Sequence, residues 1–107
     1  PMNIGGLYQI KCYYWLLYPS KEIAASALDA EPKARILCVA STWLPAATEA
    51  SHYWSRELNC NVSYISLETI FFPVEVNGNY VKVVSGEGVG WIIVQDWAKE
   101  CFEEVTQ

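Results

Sequence analysis

His52 is the only histidine of the chain, and the groups that could join it in chemistry are four cysteines, Cys12, Cys38, Cys60 and Cys101, and twelve carboxylates. A cysteine–histidine nucleophile needs its thiol and imidazole within hydrogen-bond reach, and nothing in the spacing brings them there. His52 lies in "SHYW", beside aromatic residues, where a lone helical histidine reads as a surface residue. No Cys-x-x-Cys pair occurs, so neither a zinc site nor a thioredoxin-like pair is signalled. The cysteines stand in apolar or neutral contexts, "KCYY", "LCVA" and "CFEE", and are expected as buried free thiols. Two disulfides are the alternative in a secreted setting, where "NVS" at Asn61 would be a glycosylation acceptor. Carboxylates are scattered, and the adjacent Glu103 and Glu104 diverge on a helix or a strand, so no acid–base pair or ligand set emerges. A protein that is not an enzyme, with no cofactor and no metal, is the expectation.

Gly86, Gly88 and Gly90 alternate inside "VVSGEGVGWIIV". A phosphate cradle needs such glycines between a strand and a helix, whose free amides face the anion. Here Trp91-Ile92-Ile93-Val94 follows, as strand-like as any stretch of the chain, and no Lys-Ser/Thr pair is present. The glycines therefore turn a hairpin.

Aromatic residues remain as the chemistry-bearing group: five Trp, seven Tyr and three Phe exceed what a minimal core requires. Tyr13, Trp15 and Tyr18 in "CYYWLLY" read either as a core strand or as a binding platform. Tyr53 and Trp54 fall on a helix, and Trp91 is either a core edge or a groove wall. Trp43, before Leu44-Pro45 in an irregular stretch, is expected to be exposed, where Trp and Tyr concentrate binding energy.

The elements that position these residues follow from periodicity. Residues 4–18 read as strand up to Pro19, and Ser20 caps a short helix over 21–28. Residues 35–41, "RILCVAS", read as a strand. A helix capped by Thr48 carries Ala50, Tyr53, Trp54 and Leu58 on one side and closes at Asn59. Strand signal runs from Val62 to Val76, turns at Asn77-Gly78, and resumes through residue 95. Asp96 caps either a last helix with Trp97, Cys101 and Val105 on one face, or a single turn before an edge strand.

"FFPVEVNGNYVKVVSGEGVGWIIVQDW" resembles the second half of a bacterial-type Src-homology-3-like barrel. Tyr80-Val81-Lys82-Val83 matches the family's aromatic-x-Lys-Val strand, and Gly90-Trp91-Ile92 its Gly-Trp-Ile strand before a helical turn. "YWLLYPSKEIA" is loosely similar to its first strand and loop, while residues 28–61 have no counterpart. The resemblance implies a five- or six-stranded barrel that binds peptides, cell-wall fragments or proteins, with ligand-contacting aromatics at Tyr13, Tyr14, Trp15 and Tyr18.

The fold expected is mainly β, of the α+β class. It is a small Src-homology-3-like antiparallel barrel with a helical insertion at about 28–61 and a short C-terminal helix. Residues 2–107 would form one domain, with barrel strands at about 4–18 and 62–95; Pro1 reads as a remnant of tag cleavage. Seven basic against twelve acidic residues give a net charge of -5 with no basic stripe, which argues against direct nucleic-acid binding. The apolar runs are too short to span a bilayer and no leader-like opening is present, so a cytoplasmic protein is expected. The function expected is protein binding, through Tyr13, Trp15, Tyr18, Trp43, Tyr53, Trp54 and Trp91 with an acidic rim of Glu100, Glu103 and Glu104. The partner could equally be a second copy. One alternative is an inhibitor from a virus or mobile element that covers a host nucleic-acid-handling enzyme. In it Asp29, Glu31, Glu87, Asp96, Glu100, Glu103 and Glu104 would stand in for phosphates. Another is an oligomer that binds a small molecule.

Overall fold

A computed structural model describes residues 2–30 and 35–105 of the chain. In chain order its elements are β1 (Tyr8–Ile10), β2 (Tyr14–Leu17), α1 (Lys21–Leu28), α2 (Arg35–Val39), β3 (Ala40–Ser41), α3 (Leu44–Glu57), β4 (Ser63–Ile65), β5 (Ile70–Asn77), β6 (Tyr80–Ser85), β7 (Gly88–Ile93), a 3-10 helix (Asp96–Cys101) and β8 (Phe102–Glu104). They make an α+β fold with two antiparallel sheets, ordered β7-β6-β5-β1-β8 and β3-β2-β4. The described residues form no closed barrel. The expected barrel strands are thus divided: Tyr14–Leu17 and Ser63–Ile65 belong to the second sheet, and none of the described residues between 11 and 69 belongs to the first.

The larger sheet buries one face by alternation. Tyr8 and Ile10, Phe71 and Pro73, Val81 and Val83, and Ile92 all point inward and are buried, each contributing roughly 1.5–3 kcal/mol if a large apolar side chain. Pro73 has no N–H for the ladder, and the register shifts just after it, between Pro73 and Glu75, as proline in a sheet requires. Asn77 pairs with Tyr80, so the two-residue turn is Gly78-Asn79, one position later than expected, with Gly78 at φ +62°. Ser85 pairs with Gly88 around Gly86-Glu87, which makes the glycine stretch a hairpin.

A reciprocal backbone pair joins the sheets. Tyr18 N–H donates to the Trp91 carbonyl at 2.8 Å, and Trp91 N–H donates back to the Tyr18 carbonyl at 2.7 Å. A Cβ on Gly90 would stand 2.7 Å from the Tyr18 carbonyl oxygen and 2.8 Å from Leu17 Cγ. Only glycine lets the strands approach so closely.

Helix starts were partly legible. Ser20 caps α1, its Oγ accepting from Ile23 N–H at 3.1 Å. Residues 35–41 are not a strand: α2 occupies Arg35–Val39, and only Ala40 and Ser41 pair with β2. α3 starts four residues before the expected cap, with Trp43 at the N-cap and Pro45 in the first turn, where its missing N–H costs nothing. Thr48 is inside the helix, its Oγ1 donating to the Leu44 carbonyl at 3.1 Å. Ala47, Ala50, Ser51 and Trp54 form its buried face, so Tyr53 leaves the expected buried side. At the other end Gln95, not Asp96, caps the 3-10 helix, and Phe102–Glu104 forms an edge strand against β1. The tail is therefore a turn and a strand rather than one helix.

Cys12 and Cys101 form a disulfide, with Cα atoms 4.9 Å apart and 89 residues of sequence separation. This corrects the expectation of four buried free thiols. Lys11 N–H also donates to the Cys101 carbonyl at 2.7 Å, so the bond reinforces a contact the backbone already makes.

Candidate binding surface

The expected aromatics separate into two groups. Trp15, Tyr18, Trp54 and Trp91 are buried, at 0, 1, 3 and 8% exposure. Trp15, Tyr18 and Trp91, open in the sequence between core and binding surface, thus take the core position, and Trp54 lies on the buried face of α3. Trp15 lies 4.7 Å, centroid to centroid, from Phe102 and 6.0 Å from Trp97. Its Nε1 donates to the Cys12 carbonyl at 2.9 Å. The Tyr18 hydroxyl donates to the Cys38 carbonyl, and burial pushes its pKa up, with the Cys38 and Cys60 thiols adding to the shift. Tyr13 is half-buried at φ +69°, edge-on to Trp97.

Trp43 and Tyr53 are exposed, at 61 and 43%. Trp43 holds the N-cap of α3 and makes no side-chain capping bond. Ser, Thr, Asp or Asn there would satisfy an orphan N–H, worth typically about 1 kcal/mol. Neither the core nor the cap accounts for this indole. Leu44 beside it is 46% exposed, and a shallow open groove runs down the helix over Leu44, Pro45, Thr48, Glu49, His52 and Arg56. At about 3.6 residues per turn, Tyr53 and Leu44 fall on opposite flanks of this exposed face, so they bracket the groove rather than form one stripe. His52 is therefore a groove residue, exposed on α3.

The acidic residues divide as well. Glu100, Glu103 and Glu104 are exposed along the 3-10 helix and β8. Asp96 pairs with Lys99 at 3.4 Å, and Asp29 is the exposed C-cap of α1. Glu31 lies outside the described residues. Glu87 is engaged: its carboxylate accepts from Ser66 N–H and Ser66 Oγ, both at 2.7 Å, and from Thr69 Oγ1 at 3.1 Å. It ties the β6–β7 turn to the segment between β4 and β5.

Sequence reasoning missed Leu44 and Trp97 as surface residues, the latter 53% exposed. Pro45 was the signal that the helix opens here rather than at Thr48. Among the described residues no group of His, Cys, Asp and Glu could hold a metal ion. None of their helices is long and apolar enough to cross a membrane. The chain matches no family model, no curated protein and no solved structure.

Proposed function

We propose that the protein is a non-catalytic binding module that engages a protein partner through the N-terminal end and outer face of α3, with Trp43 as the anchor. The observation that carries this reading is the 61% exposed indole at an N-cap it does not fill. A large aromatic held at the surface, at the expense of a better cap, matches where interfaces concentrate their energy. Leu44 and Tyr53 add apolar area on either side, while Glu49, His52 and Arg56 supply a polar surround. A partner with an apolar cleft for the indole and mixed charge around it fits this face.

The Src-homology-3-like reading belongs with this proposal. The hairpins β5–β6 and β6–β7, followed by a helical turn and a last strand, support the order of elements the resemblance implies. The excursion from 11 to 69 supplies α3, and so carries the proposed surface away from the family's first loop. Exposed Glu100, Glu103 and Glu104 support an acidic rim, whereas Glu87 is spent inside the fold and leaves the phosphate-mimic alternative weaker. The cytoplasm was the expected compartment. A structural disulfide counts against it, and the redox state of Cys12 and Cys101, trapped at cell lysis, decides between the two.

Hydrogen exchange of the complex tests the surface. Partner binding is expected to slow amides in the α3 segment 44–53 and to leave β5 and β6 unchanged. Protection confined to β8 and the 3-10 helix would overturn the assignment.

A further inference from the structure

A pocket of about 360 Å³ opens at one end of the larger sheet, on the face that buries Val81 and Phe71. Tyr8 of β1, Val76 of β5, Val81 of β6, Val94 and Phe102 of β8 wall it. Gly78 and Asn79 of the β5–β6 turn, with Asp96 and Lys99 of the 3-10 helix, stand at its rim. The space is largely apolar-walled and open to solvent on one side. It reaches the lower end of the range for small-molecule sites, about 300–1,000 Å³, and admits a two-ring aromatic.

The polar groups bordering it define the ligand's head. Tyr8 is 7% exposed; its hydroxyl accepts the Asn3 N–H at 2.7 Å, and its own hydrogen has no acceptor among the described residues. Lys99 has three ammonium hydrogens and one exposed partner, Asp96. The two side chains of that ion pair are not equivalent, because Lys99 is 59% exposed and Asp96 93%. Water therefore screens the anion more than the cation. Tyr8 and Lys99 are donors with hydrogens to spare, and the one carboxylate of the lining, Asp96, is the more solvated member of its pair. Their complement is an acceptor, strongest when charged.

We propose that this pocket binds a small aromatic carboxylate. The ring system lies among Val76, Val81, Val94 and Phe102, and the carboxylate accepts from Lys99 at the rim, with Tyr8 as a second donor. The site is separate from the α3 surface, and either can fail without the other.

Titration of the isotope-labelled protein with naphthalene-1-acetate, naphthalene-1-acetamide and 1-naphthylmethylamine, read by amide NMR, tests it. The acetate is expected to shift Val76, Val81, Val94 and Lys99 saturably and to bind about tenfold tighter than the acetamide. Lys99→Met is expected to erase that preference, Asp96→Asn to increase it, and Val76→Trp, which fills the mouth, to abolish binding. Val76 is 36% exposed, and a dispersed amide spectrum with β2, β4 and α3 unchanged in that variant checks that it still folds. A void left by imperfect packing would bind acetate and acetamide alike and ignore both charge changes. That result, tighter binding of the amine, or the absence of any saturable shift would overturn the proposal.

Discussion

Glu87 accepts both hydrogens that Ser66 offers, from its N–H and its hydroxyl, each at 2.7 Å. The pair fixes the β6–β7 turn against the segment that leads into β5, and Thr69 adds a third bond at 3.1 Å. Charge-assisted bonds of this kind are worth more than neutral ones even at a partly wet site. Glu87→Ala is therefore expected to destabilise the fold by about 1–3 kcal/mol, and Glu87→Gln by less, as read from urea melts. No loss in either variant would mean that the clamp does not persist in solution. Partner binding should survive both changes.

Gly90 and Gly86 look alike in the sequence and differ in space. A Cβ at 90 meets the Tyr18 carbonyl at 2.7 Å, whereas at 86 it meets nothing within 4 Å and the backbone is not left-handed. Gly90→Ala is expected to cost about 1–3 kcal/mol by overpacking, and to slow or break the Tyr18–Trp91 pairing. Gly86→Ala should be neutral, or raise stability by a few tenths of a kcal/mol through the unfolded chain. Equal effects at the two positions would contradict the proximity of β2 and β7.

Much of this was legible along the chain. The hairpins were readable because turn residues and alternating apolar positions are adjacent in sequence, and Ser20 announced α1 by its chemistry. The division of 4–18 into two strands in different sheets was not, since nothing local says that the chain leaves one sheet at Lys11 and joins another at Tyr14. For the same reason the core role of Trp15, Tyr18 and Trp91 stayed open: aromatic character does not say which side of a sheet is covered. The Cys12–Cys101 bond links positions 89 residues apart, and no spacing rule reaches that far. "RILCVAS" looked extended because Ile36 and Val39 favour strands, yet only the two residues that meet β2 are extended.

That disulfide closes nearly the whole chain into a loop. Removing a link across roughly this length is expected to cost about 2–5 kcal/mol. Cys12→Ser, Cys101→Ser and the reduced wild type should lose the same amount within error in calorimetry. If reduction leaves the melting temperature unchanged, the bond is not a structural one.

Alkaline pH should destabilise the protein in a defined direction. Burial, and next the Cys38 and Cys60 thiols, raise the Tyr18 pKa above its ordinary value of 10.0. Burial, Asp29 and Cys38 raise that of Tyr80. Above pH 10 the unfolded chain releases these phenol protons while the native state keeps them, so the native state binds more protons and stability falls as pH rises. The contribution is complete below pH 10 and lost progressively above it. Tyr18 alone sets a slope of up to about 1.4 kcal/mol per pH unit. Urea melts between pH 9 and 11.5 should show this slope, and Tyr18→Phe should flatten it; an unchanged slope in that variant would contradict the assignment.

The central claim is that Trp43 is kept exposed for a partner and not for the fold. Quantitative capture of a stoichiometric partner by wild type and by Trp43→Ser, at low and moderate salt, tests it most directly, with a thermal melt of both proteins alongside. Serine restores a capping hydroxyl, so the variant should melt no lower than wild type and gain about 0.5–2 kcal/mol, while partner retention falls at least about tenfold, a loss of roughly 1.4 kcal/mol. Equal retention by the two proteins, or a variant that unfolds, would contradict the account.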